Sequence, residues 1–87
     1  MNRFALQWLV PARADRFTHV MVLDRERPAP YVSDAGHGVD RMDALFNLWK
    51  TLVESGAAAE TIDFVAVAYM RRTGDVPKKS RHGRDWR

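Results

Sequence analysis

The chain of 87 residues contains no cysteine, so disulfide bonds and thiolate metal sites are excluded. A cysteine-free chain fits a reducing compartment, and we predict a cytoplasmic protein. No apolar run approaches the roughly 20 residues that a membrane-spanning helix needs, so no membrane partner is predicted. The N-terminal run 3–10 is interrupted by Gln7 and closed by Pro11, which makes it too short and polar for a secretory signal.

The signatures of catalysis are also missing. None of the three serines lies in a nucleophile-elbow pattern, and none has an obvious orienting base. Ser33, Asp34 and His37 are close in sequence and leave a small hydrolase as a distant alternative. The same residue types are common in turns, where they bond to their own backbone. We therefore predict a protein that is not an enzyme and has no cofactor.

Metal and phosphate sites are not favoured either. The three histidines, His19, His37 and His82, share no ligand spacing, so no metal site is predicted. Gly36-His37-Gly38 before a helix is a weak match to a phosphate-binding loop. The nearby carboxylates of Asp34, Asp40 and Asp43 work against an anion at that position.

Charge is distributed unevenly along the chain. Residues 1–70 contain seven Lys/Arg against nine Asp/Glu, a net of −2, while residues 71–87 contain seven against two, a net of +5. The apolar fraction of 46% is sufficient for one small core. We predict a single α+β domain over 1–70 and a basic extended tail over 71–87.

The segment 40–56 predicts an amphipathic helix. Asp40 is a suitable N-cap and Ser55-Gly56 a suitable stop, because aspartate accepts from free N–H groups and glycine tolerates left-handed backbone. Leu48 widens the apolar stripe, which indicates that the helix lies on a sheet. The stripe recurs at spacings of three and four residues and consists of Met42, Leu45, Phe46, Trp49, Leu52 and Val53.

Strands are predicted on both sides of this helix. Residues 3–10 and 17–24 alternate or are rich in β-branched and aromatic side chains, and 31–33 predicts a short third strand. Residues 34–39, with two glycines, predict a flexible loop. Residues 62–70 fit either a strand or a helix, and their Val, Ile, Phe and Tyr content favours strand. The resulting order is β-β-β-α-β, a small antiparallel-rich sheet with one helix packed on one face.

The basic tail is the candidate for binding nucleic acid. Its cations would neutralise phosphates, and a tryptophan would offer a surface for base stacking. A solubilising tail, or an arm that docks on an acidic surface, explains the same composition. The candidate residues are Arg71, Arg72, Lys78, Lys79, Arg81, Arg84, Trp86 and Arg87.

The region from Phe17 to Met70 resembles the HicB-like antitoxins. In that family the helix opens with a glycine, a capping residue and an acidic-Ala-Leu-x-Asn pattern, matched here in order by Gly38, Asp40, Asp43-Ala44-Leu45 and Asn47. The resemblance implies a β-β-β-α-β fold. The family's Pro-Asp-Leu-Pro-Gly segment is missing, and no DNA-binding module follows the domain. Gly36-His37-Gly38 before a helix is also similar to the last loop of double-stranded RNA-binding domains.

These observations lead to two predicted functions. The first is a non-enzymatic interaction domain similar to HicB-like proteins, with a protein partner that is most simply a second copy. The homodimer is predicted because strands 17–23 and 64–70 carry apolar residues on both faces. The alternative is a nucleic-acid-binding protein that uses the basic tail together with Arg41.

Overall fold

The computed structural model describes residues 3–9, 17–26 and 31–78, without the side chains of 31–35. Five residues of the predicted binding set lie outside the described residues, as do the side chains of Ser33 and Asp34. The α+β class is confirmed, with three strands followed by two helices. The elements are β1 Phe4–Leu9, β2 Thr18–Asp24, β3 Tyr31–Gly38, α1 Arg41–Ser55 and α2 Ala59–Thr73. The five residues outside the described ranges are Lys79, Arg81, Arg84, Trp86 and Arg87.

The three strands form an antiparallel sheet in the order β1-β2-β3. Phe4 is opposite Asp24, Leu9 is opposite His19, and His19 is in turn opposite His37. Alternate residues of β2 are buried, as the strand period of two requires. Val20 and Val22 therefore face the helices, and the residues between them face the other side of the sheet, which we call the open face.

Helix α1 begins and ends where the sequence predicts. The Asp40 carboxylate accepts a 2.9 Å hydrogen bond from the Asp43 N–H, and Gly56 closes the helix with φ of 73°. Leu45, Phe46, Leu48 and Leu52 are buried, together with Ala44. Met42 was predicted in the stripe but is 44% exposed.

Strand β3 is longer than the sequence predicts. Residues 34–38 continue the strand instead of forming a flexible loop, and Gly36 is opposite Val20. A Cβ on Gly36 would lie 2.7 Å from Leu48 Cα, and one on Gly38 would lie 2.8 Å from Ala44 N. The two glycines therefore allow close approach of α1 to β3, and they are needed for packing more than for loop flexibility.

Residues 62–70 form a helix, and the predicted fourth strand is wrong. Thr61, Val65 and Tyr69 are buried at a spacing of four, and the Tyr69 ring lies 5.8 Å from that of Phe46 in α1. Packing against α1 buries side chains at this helical spacing. The stability gained from this burial outweighs the strand propensity of the β-branched residues. The described chain therefore has the order β-β-β-α-α, and it lacks the last strand that the HicB-like resemblance implies.

Helix α2 extends past residue 71, where the basic tail was predicted to begin. Arg71 and Arg72 lie in the last turn of α2 and not in an extended tail. Gly74 ends that helix with φ of 78°, and its N–H donates a 2.7 Å hydrogen bond to the Met70 carbonyl. In the described part of the chain, neither helix has the length and apolarity needed to cross a membrane.

Candidate nucleic-acid interface

Two arginines from different helices converge on one tryptophan. Trp8 lies in β1 with its partly buried ring packed against the core. The Arg41 Cζ lies 5.1 Å from the centre of this ring, and the Arg72 Cζ lies 5.0 Å from it. Both distances are within the range for cation–π attraction. We call Trp8, Arg41 and Arg72 the Arg–Trp cluster.

The fold brings these three residues together from distant positions in the sequence. Arg41 is the first residue of α1 and Arg72 belongs to the last turn of α2, so the start of one helix meets the end of the other. A cation suits the C-terminal end of a helix, but at the N-terminal end the helix dipole opposes it. The position of Arg41 is therefore not explained by the stability of its own helix.

The cluster is not neutralised within the described residues. The ion pairs within 4.0 Å that the described residues show for Arg3 have no counterpart at Arg41, Arg71 or Arg72. Arg71 and Lys78 are exposed and add to the positive surface at this end of α2. Like charges that gather without a carboxylate paired to them within 4.0 Å produce a local positive potential, which attracts anions.

Arg3 shows the opposite arrangement. Its Nε and Nη2 each donate a 3.0 Å hydrogen bond to the carboxylate of Asp24, which is 5% exposed. Glu26 and Glu60 lie 3.5 and 3.7 Å from the same guanidinium. The hydrogen bond to Asp24 is the main cause that raises the pKa of Arg3 above its ordinary value. Arg3 is therefore a structural cation, in contrast to the Arg–Trp cluster.

Part of this positive surface was predicted from the sequence. Among the predicted binding residues, the structure describes Arg71, Arg72 and Lys78, all of them exposed and at the C-terminal end of α2 or just beyond it. Arg41, named for the alternative function, is brought to the same Trp8 ring as Arg72. Trp8 was missed, since an apolar residue in an alternating strand is normally read as core. Its role depends on two helices that follow it in the chain.

The open face of the sheet carries a second group of rings. The His37 ring lies 5.6 Å from those of both Phe17 and His19, measured between ring centres. Leu9 is 62% exposed and Phe17 is 56% exposed. His37 is thus paired across the sheet with His19, and not held in a loop as the distant hydrolase alternative supposes.

The described residues contain no group of three His, Asp or Glu side chains that could hold a metal ion. Compared with protein-family models, with curated proteins and with solved structures, the chain matches none. The class that the structure defines is an α+β domain with a three-stranded antiparallel sheet and two helices.

Proposed function

We propose that this protein is a non-enzymatic interaction domain that binds the phosphate backbone of nucleic acid through the Arg–Trp cluster. The proposal depends above all on the two arginines that meet at Trp8 without a carboxylate within 4.0 Å in the described chain. Arg71 and Lys78 extend the positive surface beside them. The cations at 79–87 continue it in sequence.

Guanidinium groups suit phosphate because their planar fork donates two parallel hydrogen bonds to two oxygens. The Trp8 ring supports two of these groups, so less side-chain entropy is lost when they bind. With its ring contacted by both arginines, Trp8 acts as a support and not as a platform for a base. The expected contact is therefore to the backbone, with little sequence preference and strong salt dependence.

A salt series with two neutral variants tests this function. Fluorescence anisotropy with a labelled DNA duplex and an RNA duplex of the same sequence gives the affinity at each salt concentration. Arg41→Gln and Arg72→Gln should each weaken binding and reduce the slope of log affinity against log salt by about 1. Lys50→Gln removes an equal charge from an exposed position of α1, about 13 Å from Arg41 along the helix. This control should change the affinity and the salt slope much less.

The contribution of the tail is separable from that of the cluster. Because α2 continues to Thr73, a truncation after Lys78 removes four cations without shortening the helix. If the proposed function is correct, the truncated chain binds nucleic acid more weakly and with a smaller salt slope. Adding Arg72→Gln to the truncated chain should weaken binding further. Binding that is absent at low salt for the full chain, or unaffected by both cluster variants, would show that the proposal is wrong.

A second candidate function is supported by the open face. Leu9 and Phe17 are mostly exposed there, next to the half-buried Met21 and Leu23, and apolar surface of this kind often marks an interface between proteins. A homodimer formed through this face agrees with the first predicted function. Residues 64–70 do not supply a second apolar strand for such a homodimer, because they are part of α2.

Sedimentation at micromolar concentration tests the homodimer. Phe17→Ser should shift the chain toward monomer, whereas Val76→Ser, a matched change at a residue that is 51% exposed, should not. A wild-type chain that sediments as a monomer would contradict the homodimer and leave the Arg–Trp cluster unaffected. The relationship to HicB-like antitoxins stays a prediction, and a toxin gene next to this one would support it.

A further inference from the structure

Strand β1 presents unpaired backbone groups at the edge of the described sheet. Its other edge pairs with β2, and the Arg25 N–H donates a 2.8 Å hydrogen bond to the Arg3 carbonyl. Backbone direction alternates along an antiparallel strand, so residues 5, 7 and 9 also point toward β2. The N–H and C=O groups of Phe4, Leu6 and Trp8 therefore point outward, with no strand beside them among the described residues.

Helix α2 runs alongside this edge and leaves a cleft of about 930 Å³. At one end Arg3 lies 3.7 Å from Glu60, and the Phe4 and Phe64 rings are 5.5 Å apart. At the other end Arg72 contacts Trp8. The strand and the helix therefore run in the same direction, and together they form the two walls of one groove.

The groove has an apolar lining, one end with charges of both signs and one positive end. Glu60 and Asp63 line the end near Phe4 together with Arg3 and Arg25, while Arg71 and Arg72 line the end toward Trp8 without a carboxylate beside them in the lining. Arg3 is already engaged by Asp24, so it adds little free positive charge at the first end. The apolar lining is formed by Phe4, Leu6, Phe64, Val67 and Ala68.

We propose that this groove binds an extended peptide segment of a partner protein, which adds to β1 as a fourth, antiparallel strand. Its backbone would pair with the outward groups of Phe4, Leu6 and Trp8, as in other cases of strand addition. Alternate side chains of the peptide, which are apolar, would pack against the apolar lining of the groove. Acidic residues near the N-terminal end of the segment would meet Arg71 and Arg72, because an antiparallel segment begins at the Trp8 end.

The charge of the groove argues for a partner protein over residues 79–87 and over a second copy of β1. Residues 79–87 contain four Lys/Arg and one Asp, which does not suit the end formed by Arg71 and Arg72. A second copy of β1 has the sequence FALQWL and contains no acidic residue. The volume of the cleft is within the range of about 300–1,000 Å³ that is usual for ligand sites.

This site shares Arg71, Arg72 and Trp8 with the surface proposed to bind nucleic acid. The decisive variants are therefore placed at Val67, which lines the groove, is 43% exposed and is not part of the Arg–Trp cluster. Val67→Trp should fill the cleft and leave nucleic-acid affinity unchanged. Val76→Trp is the matched control, because Val76 is 51% exposed and does not line the groove.

The probe is a peptide of sequence DEVTVTV, compared with its reverse, VTVTVED. Titration followed by anisotropy should show the first peptide binding at least about ten times more tightly than the second, since only it places the acidic end at Arg71 and Arg72 when antiparallel. Val67→Trp should weaken its binding by a similar factor, and Val76→Trp should not. Failure of DEVTVTV to bind, equal binding of the two peptides, or no effect of Val67→Trp would overturn the proposal.

Hydrogen exchange gives a readout at single residues. In the free chain the amides of Phe4, Leu6 and Trp8 should exchange fast, and those of Ala5, Gln7 and Leu9 should be protected by β2. The peptide should slow only the first set. If that set is already protected in the free monomer, a segment of the same chain covers the edge and the proposal is wrong; protection that appears only at high protein concentration would assign the edge to a second copy and also overturn it.

Discussion

Gly36 of β3 lies directly beneath Leu48 of α1, so close that a Cβ on the glycine would be 2.7 Å from the Leu48 Cα. The obstacle is helix backbone and not a flexible side chain. At this point, the separation between the sheet and α1 is therefore set by the absence of a Cβ atom on Gly36. This contact places the buried Leu48 and Leu45 against Val20 and Val22 in the core.

Replacing Gly36 with alanine should destabilise the protein by about 3 kcal/mol, because the added Cβ forces the helix away from the strand. Gly56→Ala is the control, since its Cβ would meet nothing within 4 Å and the strain comes only from a φ of 73°. That change should cost about 1 kcal/mol. Urea unfolding followed by circular dichroism measures both, and equal losses would contradict the close packing of α1 on β3.

Because residues 62–70 are helical, we expect Val65 and Val67 to contribute differently to stability. In a strand Val65 and Val67 would share a face, whereas in α2 Val65 is fully buried and Val67 is 43% exposed. Val65→Ala should therefore cost about 2 kcal/mol of unfolding free energy. Val67→Ala should change it by less than about 0.5 kcal/mol. Similar costs for the two variants would favour the strand.

The buried carboxylate of Asp24 should matter more than its neighbour Glu26. Asp24 accepts hydrogen bonds from Arg3 and from the Glu26 N–H, and it is 5% exposed, whereas the Glu26 side chain is 67% exposed. Asp24→Asn should therefore lower the melting temperature clearly, and Glu26→Gln should hardly change it. Thermal unfolding of the two variants, each of which loses one negative charge, makes the comparison.

The pH dependence of this pair follows from the raised pKa of Arg3. A cation whose pKa rises on folding contributes stability that is fully present below its unfolded pKa and is lost only when the pH exceeds the folded value. Arg3 should therefore contribute no change in stability between about pH 6 and pH 9, where arginine is protonated in both states. A loss of stability in this window that disappears in Arg3→Gln would contradict this assignment.

Trp8 should influence nucleic-acid affinity without changing the number of charges. Trp8→Leu leaves Arg41 and Arg72 in place but removes the ring that supports them, at about 0.5–1 kcal/mol for each cation–π contact. Binding should weaken roughly 5- to 30-fold with an unchanged salt slope. Trp49→Leu is the control, because Trp49 packs on Phe46 in α1 and contacts neither arginine in the described structure. A reduced slope for Trp8→Leu would contradict this role.

Helix α1 and the alternation of β2 could be predicted from the sequence because each is specified locally. Asp40 and Gly56 mark the ends of the helix through their own backbone interactions, and Val20 and Val22 follow the strand period. The length of β3 could not be predicted in this way. Gly36 and Gly38 are typical of a loop, and only the proximity of α1 shows that they continue a strand.

The sequence by itself determined the composition of the core, the limits of α1 and the concentration of positive charge after Met70. The tertiary structure decided the rest. Residues 62–70 carry strand-forming side chains, but packing of Val65 and Tyr69 against α1 stabilises a helix. The same arrangement brings Arg41 and Arg72 to Trp8 and sets α2 beside the edge of β1. Both candidate sites thus depend on contacts between residues far apart in the chain, which no local pattern contains.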